Sequence, residues 1–184
     1  MARIEIMPKD DGWAVPDRGE FPVQTQRLCM ENVAVHPYPL PDALSKDLTQ
    51  AWDYWNNLKR GNAAMPFVDD VKLGELKADQ AILIKVFRMP QRFCVEFAGQ
   101  GVGLSYGGDL LGKFVDELPA RPPLNYFLSQ CSATVEARAP TGYLNACAKA
   151  DIGSYQRILL PLWADGHVAA LLGAVGAPVK EIAD

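Results

Sequence analysis

Between two long apolar runs, "SYQRILLPLWA" and "HVAALLGAVG", the chain places Asp165-Gly166. Both central residues of a type I′ turn need positive φ, which Asp tolerates and Gly adopts freely, so the dipeptide fixes a β-hairpin. Pairing outward from the turn sets Leu162 opposite Ala169, Leu160 opposite Leu171 and Ile158 opposite Gly173 on one face. The other face carries Trp163, Leu159, Ala170 and Leu172. Both faces are apolar, so the rest of the chain must cover this hairpin on both sides.

Two further elements supply that cover. From Asp42 to Arg60, Leu44, Leu48, Ala51, Trp52, Trp55 and Leu58 recur at steps of three and four, the stripe of an amphipathic helix. Lys59 and Arg60 suit the negative end of its dipole, and Gly61 suits a left-handed C-terminal cap. Residues 81 to 88 and 92 to 98, "AILIKVFR" and "RFCVEFA", read as a second hairpin around the turn-forming "MPQ", with Phe93, Val95 and Phe97 on its core face. Between the hairpins, "QGVGLSYG", "DLLGKFVDEL" and "PPLNYFLSQCSATVEA" read as short helical pieces, and "GYLNACA" as a further strand. Residues 1 to 41 are too rich in proline for a long helix, with "ARIEI" and "NVAVH" as short strands at most. The resulting order, two strands, several short helices and three closing strands, is α+β and antiparallel.

That order decides the reading of Gly99, Gly101 and Gly103. A dinucleotide-binding turn needs its third glycine at position 104, which is Leu, and must open a β-α-β unit, whereas this stretch closes a hairpin. The glycines are expected to bend the chain off the sheet edge as a flexible exit into the short helices. Other chemistries also lack support. A net charge of −4 is no footprint for nucleic acid. The four cysteines, Cys29, Cys94, Cys131 and Cys147, are scattered, without the spacing of a metal site or a redox dithiol, so reduced, buried thiols and no metal are expected. The two histidines, His36 and His167, lie far apart, and no Gly-x-Ser-x-Gly elbow is present to make a hydrolase. The acidic residues near the N-terminus do not suit a signal peptide, and "VAALLGAVGAPV" is too short to span a bilayer, so a cytoplasmic protein without membrane insertion is expected.

The element order, with "AWDYWNNLKRGNAAMP", "RFCVEFAGQGVGLSYGGDLLGKFVDEL" and "YQRILLPLWADGHVAALLGAV" at their spacing, resembles a PAS domain, and more narrowly the short stand-alone PAS-like proteins of alphaproteobacteria. The resemblance departs at "FVDDVKLGEL", where such proteins usually continue with an Arg and an Asp-Ile-Asp-Pro-like run, and at "GQGVGLSYGG", where they usually carry polar residues. It implies a five-stranded antiparallel sheet with short helices between strands two and three, plus an N-terminal amphipathic helix. Expected boundaries are an arm at 1–41, a flanking helix and loop at 42–66, the PAS-like domain at 67–178 and a tail at 179–184.

The resemblance implies a sensor or protein-interaction module in bacterial signalling, without catalysis of its own, that acts on an unidentified signalling protein. A binding protein for a small apolar metabolite is the alternative, and a small enzyme using a nucleotide or a Cys a more remote one. PAS ligands sit between sheet and short helices, which makes Phe93, Val95, Phe97, Tyr106, Phe127, Cys131, Leu160 and Leu171 the candidate lining. No cofactor is expected: residues 106 to 118 hold no cysteine for a flavin adduct, and 123 to 137 no histidine for haem. Arg138 and Arg157 supply only part of the basic cluster of citrate-type sensing. Trp52, Trp55 and Leu58 are candidates for a homodimer interface through the N-terminal helix.

Overall fold

The computed structural model describes residues 38–75, 78–145 and 154–176. The expected strands "ARIEI" and "NVAVH", the C-terminal tail, His36, Cys29 and Cys147 lie outside the described residues. In chain order come α1 (Lys46–Asn57), β1 (Ala81–Arg88), β2 (Gln91–Ala98), α2 (Gln100–Tyr106), α3 (Phe127–Ala137), β3 (Thr141–Asn145), β4 (Tyr155–Ala164) and β5 (His167–Gly176), with short 3₁₀ turns between. The strands form one antiparallel sheet in the order β2-β1-β5-β4-β3. This is the α+β, PAS-like architecture: five strands, helices between the second and third, and an amphipathic helix before the first.

The hairpin turn is as expected, with φ of 49° at Asp165 and 78° at Gly166. Its register is not. A bulge at Leu162/Trp163 leaves Ala169 unpaired, so Leu162 faces Ala170, Leu160 faces Leu172 and Ile158 faces Ala174. The slip moves Leu171 and Gly173 to the opposite face, where they join Ile84 and Ile82 of β1 and Pro161 and Leu159 of β4. A second bulge at Leu83/Ile84 pairs Phe97 with Leu83, so Phe97 does not continue the row of Phe93 and Val95.

One face of the sheet, with Ile158, Leu160, Leu162, Leu172 and Ala174, is covered by α1, whose Leu48, Ala51 and Trp55 are buried. Trp55 was expected at an interface between copies; it lies instead in the core of its own chain, because its indole finds both apolar cover and a carbonyl partner there. Trp52 and Leu58 are half-buried. The helix ends at Asn57, earlier than the stripe suggested, although Gly61 does take a left-handed φ of 54°.

The other face, with Ile82, Ile84, Phe93, Val95, Leu159 and Leu171, is buried beneath the segment from α2 to α3. Helix α2 packs so closely on residues 79–80 that a methyl group at Gly101 would lie 2.8 Å from the Asp79 carbonyl oxygen. Gly99, Gly101 and Gly103 thus lie at the cap and within a helix, not in a loose exit. "DLLGKFVDEL" is likewise no helix beyond the turn Val115–Glu117: Gly112 and Lys113 bond to both backbone groups of Val95 and cover the open edge of β2.

Candidate functional site

The site grows from an unusual residue on β4. Strand β4 is central and apolar, yet Arg157 sits on it between Gln156 and Ile158, fully buried, on the face that α3 covers. Pairing with Tyr143 on β3 and Val175 on β5 sets its side chain toward the loop that enters α3. There the guanidinium Nε donates to Gln130 Oε1 at 2.7 Å, Nη1 to the Pro123 carbonyl at 2.6 Å and Nη2 to the Asn125 carbonyl at 3.0 Å. Its flat faces lie 4.8 Å from the Phe127 ring centre and 5.0 Å from that of Tyr143.

All three acceptors are neutral, and no carboxylate pairs with this cation among the described residues. Burial lowers the guanidinium from its usual range to about 10, which still leaves it charged at neutral pH. A buried charge without an opposite charge is costly, and here neutral carbonyls and ring faces offset that cost.

The surrounding polar groups form a chain into α3. Gln130 Nε2 donates to the Thr141 hydroxyl at 3.3 Å, and Thr134 donates to the Gln130 carbonyl at 2.7 Å. With the Thr134 proton committed, the Thr141 hydroxyl donates to Thr134 across 2.6 Å. Helix α3 is thereby tied to β3 and β4 through side chains. Two tyrosines flank the cation, with ring centres of Tyr143 and Tyr155 5.8 Å apart. Burial is the main cause that raises both phenols, Tyr143 to about 12. The Tyr155 hydroxyl is buried and has no well-formed hydrogen bond.

Outside this box, on the solvent side of α3, lies an open groove of 740 Å³ lined by apolar side chains including Val115, Leu118, Leu124 and Leu128, with Glu136 and Asp116 as its charged residues. Groove and box share walls. Phe127 lines the groove and carries the guanidinium on its ring, and Tyr126 lines it and lies 5.9 Å from Tyr143. Tyr126 also has a positive φ of 55°, a strained conformation for an aromatic residue. A second cleft of 660 Å³ beside α2 is lined by Phe97, Leu104, Leu110 and Leu111.

Of the expected lining residues, Phe93, Val95, Tyr106, Phe127, Cys131 and Leu171 are all buried on the α3 side of the sheet. Phe127 reaches the groove. Leu160 is corrected: the bulge in β4–β5 turns it to the α1 side, away from Leu171. Phe97 is separated from Phe93 by the bulge in β1–β2 and lines the cleft beside α2. Burial pushes the Cys131 thiol up to about 12, which disfavours it as a nucleophile. From sequence, Arg157 enters only as part of an incomplete basic cluster, and Gln130, Tyr143 and Tyr155 not at all. The signal for Arg157 was available, as a charged residue in a strand whose two faces both had to be covered.

Among the described residues there is no cluster of His, Cys, Asp or Glu able to hold a metal ion, and no helix long and apolar enough to cross a membrane. No protein-family model matches the chain, and no curated protein does. Among solved structures, a fungal LOV domain photoreceptor matches with a TM-score of 0.41 and 17% sequence identity, over 65% of this chain and 83% of that chain. The PAS-like fold stands on the strand order and the helix placement, independently of this likeness.

Proposed function

We propose that the chain is a cytoplasmic sensor module of the PAS-like kind found as short stand-alone proteins in bacterial signalling, which works by binding a small molecule and not by catalysis. The carrying observation is that Arg157 joins the centre of the sheet to the 119–126 segment, so that one buried side chain links the interior to the walls of the α3 groove. A ligand that rearranged those walls would alter the surface that α3 offers to a signalling partner. The buried, protonated Cys131 weighs against thiol catalysis. For pairing of two copies, α1 offers Trp52 and Leu58, the half-buried members of its stripe.

Native mass spectrometry and hydrogen exchange, with and without a bacterial metabolite extract, test this reading. The expected result is a small-molecule adduct that slows exchange over residues 119–137. Turnover of an ester or nucleotide that is lost in Cys131→Ala would overturn it, as would an extract that leaves both mass and exchange unchanged.

A further inference from the structure

We infer that the groove takes an apolar monocarboxylate, whose carboxylate replaces the loop carbonyls on Arg157 and whose body lies along α3. The inference rests on the reading of the groove as a ligand site and names the class of ligand.

The geometry supplies each part. The guanidinium is separated from the groove by the short segment 123–126 and the ring of Phe127, and that segment holds it with two backbone carbonyls. A carboxylate binds a guanidinium fork through two charge-assisted bonds, each stronger than a bond to a neutral carbonyl. Exchange of partners therefore favours an anion once the segment moves aside. Tyr126, at the end of that segment, is held at positive φ, so movement there releases strain. The Tyr155 hydroxyl supplies the second observation: buried beside the cation, with only imperfect contacts to Tyr143 and Asn125 and no well-formed hydrogen bond, it is a ready donor to a carboxylate oxygen. One cation matches one negative charge, and Glu136 along the groove opposes a more highly charged ligand such as a phosphate dianion, whereas Asp116 is already paired with Arg92. Val115, Leu118, Leu124 and Leu128 ask for an apolar body.

Phenylacetate, phenyl phosphate and 2-phenylethanol separate the terms, since they share an aromatic body and differ in charge. Titrations of the full chain, followed by thermal shift and calorimetry, are expected to show saturable binding of phenylacetate and at least tenfold weaker binding of the other two. Tyr155→Phe is the informative variant: it removes a hydroxyl that has no well-formed hydrogen bond in the free protein, so its melting temperature changes little while its affinity for phenylacetate falls several-fold. Arg157→Lys keeps the charge but loses the fork, and is expected to lose at least tenfold in affinity. Equal binding of phenylacetate and 2-phenylethanol, or unchanged affinity in Tyr155→Phe, would overturn the inference. An extract ligand that carries no acid yet protects residues 119–137 would also overturn it while leaving the sensor reading intact, whereas no protection by any compound would remove both.

Discussion

The indole N–H of Trp55 donates to the carbonyl oxygen of Pro161 across 2.8 Å, joining α1 to the middle of β4. Proline has no N–H for a ladder and is usually kept out of central strands. Here β3 reaches only as far as Leu159 and the Pro66–Phe67 segment meets β4 again at Trp163, so between them the Pro161 carbonyl is left to accept the indole. A tryptophan on the helix thus satisfies the backbone group that the proline and the short β3 leave over.

Replacing Trp55 therefore tests whether α1 belongs to the core. Trp55→Ala is expected to cost about 3–5 kcal/mol. Trp55→Phe keeps much of the apolar cover but leaves the Pro161 carbonyl unpaired, at a cost of roughly 1–3 kcal/mol. Urea unfolding measures both, and a loss within about 1 kcal/mol for the alanine variant would mark α1 as a detachable flank.

Gly142 meets the chain just before α1. A methyl group there would lie 2.5 Å from Pro41 Cδ and 2.7 Å from the Pro39 carbonyl oxygen, and the Gly142 N–H donates to the Tyr38 carbonyl at 3.2 Å. Gly142→Ala must push the 38–41 segment away from the edge strand, and a loss of about 1–3 kcal/mol is expected. Faster amide exchange at position 142 in the variant would identify the displaced contact.

The buried polar chain makes Arg157 and Gln130 energetically coupled. Each single change, Arg157→Met or Gln130→Leu, strands the other's partners, while the double change removes both sides of the bond. The double variant is expected to be more stable than the sum of the single losses by roughly 0.5–3 kcal/mol. Additive losses in a denaturation cycle would mean that the bond contributes nothing specific.

Alkaline stability reports on Cys131. Its folded thiol stays protonated to about 12, whereas the ordinary thiol ionises near 9. The unfolded chain thus releases its proton first, so the thiol's contribution is complete below pH 9 and declines as pH rises toward 12. Comparison with Cys131→Ala from pH 9 to 10 isolates the thiol, because Lys59, lowered from 10.5 by burial, is common to both chains, while Tyr143 and Tyr155, both raised from 10, and Arg157, lowered to about 10, act from there upward, the phenols and the guanidinium with opposite signs. Over that window, the unfolding free energy of Cys131→Ala is expected to fall less steeply than that of the unaltered chain. Parallel curves would place the thiol in water.

The outline of the fold was legible because it rests on local signals. Asp165-Gly166 demanded its turn, and the spacing of Leu48, Ala51 and Trp55 demanded a helix against something apolar. Bulges were not legible, since an unpaired residue is set by how two strands twist past each other and not by either strand alone. One bulge sufficed to place Leu160 and Leu171 on opposite faces and so divided the expected lining. The box around Arg157 joins residues from the loop before α3, from α3 itself and from two strands. Only Arg157 announced itself in sequence; Gln130 and Tyr155 acquire their significance from it.

Ala169, the residue left over between Val168–Trp163 and Ala170–Leu162, has a consequence for how this hairpin tolerates insertion and deletion. A chain shortened by that alanine could keep every pair from Leu162–Ala170 inward, because those pairs already count as though it were absent. Loss of Ala170 yields the same shortened sequence, since the two alanines are adjacent, whereas loss of Leu171 or Leu172 either sets an alanine in the place of Leu171 or shifts the inner half of β5 by one, sending its core side chains to the wrong face. Length variation in this hairpin should therefore collect at one site, and that site is the bulge and not the turn.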